Sequence, residues 1–176
     1  TQTSTWTDCY PYNAISIYAL HPMYLDLSQL AEVSDEAFMQ EYHREREELN
    51  ALAQVDYERT FHMKMRYLHR LYEQEGEAVL ASPACKDFIR RNEEWLISYS
   101  VFCHRRDEEG TSYFPSWHML SVYDEKEVRA YAMEKGRETG FYIYVQYLLS
   151  AQLSYVTSYA RNNGVLLKGD IPIGIS

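Results

Sequence analysis

From residue 34 onward, apolar side chains recur every three or four positions, the spacing that lines one face of an α-helix. Ser34-Asp-Glu opens the first such stretch with a hydroxyl cap and acids in its first turn, and Phe38, Tyr42, Leu49 and Leu52 form its stripe. A second helix is predicted after Asp56, with Tyr57, Phe61, Met65, Leu68 and Tyr72 on one face and Gly76 closing it. Ser82-Pro83 reads as a cap followed by Pro at the first helical position, with Phe88 and Ile89 facing inward. Trp95, Tyr99 and Phe102 make a further stripe that runs to Gly110, and residues 111–123, with Pro115 and Trp117, read as a loop. Asp124-Glu-Lys-Glu127 is a capping box for a helix ending near Lys135.

The last helix, Phe141 to Asn163, is the most apolar. Tyr142, Val145, Leu149, Leu153, Val156 and Ala160 line one face, and Ile143, Tyr147 and Leu148 widen it into an arc that expects covering on two sides. Gly164 caps it, and Val165-Leu-Leu-Lys-Gly-Asp170 continues as a short strand ending in a carboxylate. Helix, Gly cap, apolar run and terminal carboxylate is the layout of one unit of an α/β barrel. A lone parallel strand leaves its backbone groups unsatisfied, so the chain reads as a piece of a larger enzyme. Residues 1–25 read as an irregular loop with a short extended stretch around Ile15 to Leu20. The pattern thus predicts a mainly α chain of six helices and few strands.

Charge narrows the partners. Seventeen basic against 26 acidic residues give a net charge of −9, the wrong sign for a phosphate-binding surface, so no nucleic acid is expected. Cys9, Cys85 and Cys103 are odd in number and lack metal-like spacing, which points to free thiols in a reducing compartment and hence the cytoplasm. No window is apolar over the roughly 18 residues that a membrane span needs. The N-terminus has neither the basic start nor the apolar middle of a signal peptide. Tyrosine is abundant, at 17 residues. Its flat face and hydroxyl suit a sugar ring, whereas at helical spacing it more often packs in a core with a wet hydroxyl.

Independent catalytic chemistry is hard to find. His62 and His69, seven apart, have no third ligand at suitable spacing, and neither a Cys–His arrangement nor a Gly-rich phosphate loop can be read. The charge run His43-Arg-Glu-Arg-Glu-Glu48 reads as a solvated helix face. Glu93 with Glu94, and Glu108 with Glu109, are adjacent on helices and point apart; Asp8 with Asp170 is the one acid pair able to converge.

Two segments at opposite ends carry a more specific signal. They are Trp6-Thr-Asp-Cys-Tyr-Pro-Tyr-Asn-Ala-Ile-Ser-Ile-Tyr-Ala-Leu-His-Pro-Met-Tyr-Leu-Asp-Leu27 and Gly164-Val-Leu-Leu-Lys-Gly-Asp-Ile-Pro-Ile-Gly174. Together they resemble the 4-alpha-glucanotransferases, the amylomaltase or disproportionating-enzyme family. His21-Pro22 and the long helical stretch between the motifs resemble most the branch that holds the plant cytosolic enzyme and its bacterial relatives. Arg91-Asn-Glu-Glu-Trp-Leu96 and Phe141-Tyr-Ile-Tyr-Val-Gln-Tyr147 also fit.

The resemblance implies a fragment of a TIM (β/α)8 barrel. Residues 1–25 would come after the second strand, residues 26–163 would be a helical insertion, and residues 164–176 would carry the third strand. It implies transfer of α-1,4-glucan units between malto-oligosaccharides or glucans with retention, which needs a carboxylate nucleophile and an acid/base about 5 Å apart. Those catalytic carboxylates belong to later strands, so none is expected in this chain, and no cofactor or metal is implied. The role that carries over is substrate binding. Asp170 matches the aspartate that ends the third strand, its alternative being a cap for the segment after Pro172. Tyr12 matches an aromatic beside the same subsite, its alternative being a buried loop anchor. Two rival readings remain: a carbohydrate-binding module stacking sugar on Trp6, Tyr10, Tyr12 and Trp117, and a helical protein that holds a partner on the Phe141 to Ala160 surface. The oligomeric state is not legible.

Overall fold

In a computed structural model of the chain, residues 2–3, 13–169 and 174–175 are described. The architecture is mainly helical. Two short strands, β1 (Gln2–Thr3) and β2 (Asn13–Ser16), precede five helices: α1 (Glu36–Asn50), α2 (Tyr57–Ala81), α3 (Pro83–Glu109), α4 (Glu125–Glu134) and α5 (Gly136–Asn162). A last strand, β3 (Gly174–Ile175), joins a three-stranded sheet of order β1-β2-β3. β1 pairs antiparallel with β2, and β2 pairs parallel with β3 in the register Asn13↔Gly174 and Ala14↔Ile175.

Local chemistry sets most helix ends. The Ser82 hydroxyl accepts from the Cys85 amide at 3.2 Å with Pro83 in the first turn, and Asp124 accepts from the Lys126 and Glu127 amides. Gly110 closes α3 at φ 68° and Gly164 comes after α5 at φ 74°, the left-handed region that glycine adopts without steric cost. The amide of Val165 donates to Ala160 and that of Gly164 to Arg161, the paired bonds of a Schellman ending.

Four expectations are corrected. The first helix is capped by Asp35, whose carboxylate accepts from the Phe38 amide, while Ser34 is drawn off by the Gln74 side chain. Gly76 does not end α2, which runs on to Ala81 with Gly76 buried inside it; packing outweighs the roughly 1 kcal/mol that glycine costs a helix interior. The segment that carries Phe88 and Ile89 and the stripe of Trp95, Tyr99 and Phe102 are not separate helices, because nothing between Ile89 and Trp95 breaks the backbone ladder and α3 is one helix. Finally, residues 165–169 are not a strand. They are exposed and have no ladder partner among the described residues, and the strand lies further on, at Gly174–Ile175.

The chain divides into two compact units, residues 1–75 with 148–176, and residues 76–147. In the first, α1 lies on α2 through the rings of Tyr42 and Tyr67, 4.8 Å apart, and of Phe38 and Tyr67, 6.3 Å apart. The charge run of α1 is largely exposed, and two of its acids reach α2 cations: Glu48 pairs with Arg59 and Glu45 with Arg66. In the second, α3 and α4 pack through Val101, Val128 and Tyr131. The α3–α5 seam here is polar: Gln146, 2% exposed, donates to the Tyr99 hydroxyl, and the Tyr142 hydroxyl donates to Asp107.

No helix among the described residues is long and apolar enough to cross a membrane. The α5 residues Phe141 to Gln146 are buried on every side, whereas Leu153, Val156 and Tyr159 are about half exposed or more.

Candidate functional site

Tyr12 and Asp170, the predicted sugar contacts, lie outside the described residues, as do Asp8, Trp6 and Tyr10. Their flanks are described, and these bring the two end motifs together. Asn13, beside Tyr12 in sequence, pairs with Gly174, four positions after Asp170. A parallel ladder spaces neighbouring strands about 4.8 Å apart, so segments separated by some 160 positions share one small sheet.

Beyond β2 the chain is held at every turn. Ala14 is fully buried, and the Ser16 hydroxyl accepts from the Tyr18 and Ala19 amides, at 3.1 and 3.2 Å, turning the backbone. Ala19 is buried. The His21 ring stands edge-on to Phe61 of α2, 5.8 Å between centroids, and its Nδ1 accepts from the Met23 amide, capping a 3-10 turn over Pro22–Tyr24. Asp26 caps the next turn, Leu27–Gln29, and Leu25 and Leu27 plug into the core of the unit.

Polar side chains of α2 and α5 then seize the backbone itself. Lys64 donates to the Met23 carbonyl at 2.6 Å and to the Leu25 carbonyl at 2.9 Å. Burial lowers the Lys64 pKa and the nearby Asp26 charge opposes that shift. The Gln152 amide clasps Asp26 from both sides, accepting from its N–H at 2.9 Å and donating to its carbonyl at 2.8 Å. Tyr67 donates to the Ala31 carbonyl, and Gln74 to that of Glu32. These holders escape a reading of periodicity, which assigns polar residues to solvated faces. The available signal is position: Lys64 stands three after Phe61 and four before Leu68, on the apolar stripe.

Three of the alternative acids, Glu93, Glu108 and Glu109, are committed to structure. Glu93 bonds to Arg129 at 2.7 Å. Arg105 donates to Glu108 at 2.6 Å and also to Glu109, which further bonds to the amide and Nδ1 of His118. The Glu109 pKa is held low, chiefly by the His118 side chain. Burial raises that of Glu108, but the Arg105 bond and the His104 charge bring it below the usual range. Both stay ionised and serve poorly as proton donors. Trp117 is buried and donates to the Thr111 carbonyl, so it offers no face to a stacking sugar. Among the described residues no group of three or more His, Cys, Asp or Glu could hold a metal.

The family model for 4-alpha-glucanotransferase matches residues 1–176, the whole chain. The chain belongs to the 4-alpha-glucanotransferase family. It is 35% identical over 173 residues to 4-alpha-glucanotransferase DPE2 of Oryza sativa subsp. japonica, covering 97% of this chain and 18% of that protein. It is 32% identical over 168 residues to a 4-alpha-glucanotransferase of Chlamydia muridarum, and 28% identical over 166 residues to one of Aquifex aeolicus, spanning 32% of each. The chain therefore spans a third or less of the length of each of these relatives.

Proposed function

We propose that this chain forms part of the sugar-binding wall of a 4-alpha-glucanotransferase that moves α-1,4-glucan units between malto-oligosaccharides or glucans with retention of configuration. In this reading the whole protein is a (β/α)8 barrel, and residues 26–163 are a helical insertion between its second and third strands. Tyr12 borders the donor sugar, and the Asp170 carboxylate accepts hydrogen bonds from its hydroxyls. Retention assigns the nucleophile and the acid/base to carboxylates elsewhere in the polypeptide. The observation that carries the reading is the parallel pairing of Asn13 with Gly174, which joins the motifs that flank Tyr12 and Asp170. Cys85 and Cys103, free and buried, fit a reducing, cytoplasmic setting.

The test uses a polypeptide of the length of the matched relatives that carries this chain, with maltotriose as donor and acceptor. Conversion of maltotriose into longer and shorter oligosaccharides is expected, and Tyr12→Ala and Asp170→Asn should lower kcat/KM by about tenfold or more, the scale of a lost hydrogen bond to a charged group. The 176-residue chain alone should leave maltotriose unchanged. Disproportionation by the short chain, or wild-type kinetics in both variants, would sink the reading.

A further inference from the structure

Asn163 is followed by a glycine, and none of the other four asparagines of the chain is: Asn13 and Asn50 precede alanine, Asn92 precedes glutamate and Asn162 precedes Asn163. The side-chain amide of an asparagine is an electrophile that the next backbone nitrogen can reach, closing a cyclic imide. The side chain of the following residue is the main obstacle to that attack, and glycine has none. The space around Gly164 is open, with nothing within 4 Å of where a Cβ would stand. Arg161, Asn162, Asn163 and Gly164 are all exposed to water.

The folded turn holds both reacting groups. Nδ2 of Asn163 donates to the Tyr159 carbonyl at 2.8 Å, and the Gly164 amide donates to the Arg161 carbonyl at 3.0 Å. Attack therefore waits until these bonds open. They belong to the last turn of α5, and helix ends open at little cost where interior turns do not. Asn92 is the contrast within the chain. It makes the same bond, from Nδ2 to the Phe88 carbonyl at 2.8 Å, but in the interior of α3 and ahead of a glutamate.

We propose that Asn163 is a self-modifying site, which deamidates through a cyclic imide with Gly164 at a rate set by opening of the last turn of α5. The Gly164 nitrogen gives its proton to hydroxide and bonds to Cγ of Asn163. The Cγ–Nδ2 bond breaks, and Nδ2 takes a proton from water and leaves as ammonia. Water then opens the imide. Attack at Cγ restores the ordinary chain with an aspartate, and attack at the main-chain carbonyl carbon gives isoaspartate, in which the chain runs through Cγ. Either product sets a negative charge at the C-terminus of a helix, where the macrodipole opposes it, and removes the donor to Tyr159. Isoaspartate also adds an atom to the main chain inside the Gly164–Arg161 and Val165–Ala160 bonds, which loosens the exit of α5.

The test incubates the longer polypeptide in mildly alkaline and mildly acidic buffer, digests it and weighs the peptides that carry Asn163, Asn50 and Asn92. The Asn163 peptide should gain about 1 Da and separate into aspartate and isoaspartate forms, faster in the alkaline buffer. It should convert about tenfold or more faster than that of Asn50, which is also exposed but precedes alanine, and the Asn92 peptide should stay unchanged. Urea should speed the conversion of Asn163, because the turn no longer holds the two groups. Gly164→Ala, compared in urea so that helix strain plays no part, should slow it by about tenfold. Conversion no faster than that of Asn50, aspartate without isoaspartate, or a rate unchanged by Gly164→Ala overturns the site. A rate unchanged by urea overturns the control by the turn.

Discussion

Tyr142→Phe probes the seam of the second unit by deleting one oxygen. The Tyr142 hydroxyl donates to Oδ2 of Asp107 at 2.7 Å, and the other oxygen of that carboxylate accepts from Nε of Arg106 at 2.8 Å. The Tyr142 ring and Arg106 are buried, while the Asp107 side chain is 29% exposed. Hydrogen bonds to charged groups contribute about 1.5–3 kcal/mol, and the partial access of water to Asp107 places this one near the lower end, at about 1.5–2 kcal/mol. For a domain of this size each kcal/mol moves Tm by about 2–4 °C, so the Tm read by far-UV circular dichroism at pH 7 should fall by roughly 3–8 °C. Asp107→Asn removes a charge that pairs with the buried Arg106 as well as the acceptor of Tyr142 and should cost more, and the double variant should be scarcely worse than Asp107→Asn alone. A Tyr142→Phe protein within about 0.5 kcal/mol of the parent, the range of an indifferent surface change, would refute the idea that this bond holds α3 to α5.

Burial raises the Cys103 thiol from 9.0 to about 11, so the folded chain keeps a proton that the unfolded chain has lost. That stability is complete below pH 9 and disappears as pH rises through 11, with Tyr99 and Tyr142, also shifted upward chiefly by burial, extending the loss above pH 10. Melting temperatures measured from about pH 8 to 11 should fall less steeply for Cys103→Ala, and equal slopes would count against the buried thiol. Ser82→Ala removes the cap of α3 and should cost about 1 kcal/mol in urea unfolding; no change would mean that Pro83 alone starts the helix. The half-exposed Leu153, Val156 and Tyr159 should make the 176-residue chain self-associate in light scattering, and Val156→Lys should reduce this; a monodisperse parent at high concentration would refute the patch as its cause.

The bulk of the helical frame is legible in the sequence. Ser82-Pro83, Asp124, Gly110 and Gly164 act within one turn of themselves, through a hydroxyl, a carboxylate or a left-handed φ, and their effects need no distant partner. The end motifs are legible in the same way, as strings of residue types that match a family over the whole chain. Where a local signal competes with packing it misleads: Gly76 looks like a stop, yet inside a long, well-covered helix its cost is outweighed. Ser34 and Asp35 are equally good caps, and the choice falls to Gln74, which lies 40 positions away from Ser34 and bonds to its amide and hydroxyl.

Tertiary structure alone decided how the ends meet. The apolar run 165–169 reads as a strand because its side chains suit one, but a strand exists only where a second backbone supplies a ladder, and β2 supplies it at Gly174. Likewise a lysine on an apolar stripe shows that a buried partner must exist without saying which. The carbonyls of Met23 and Leu25 answered that, because hydrogen bonds of this kind depend on distances that no spacing along the chain encodes.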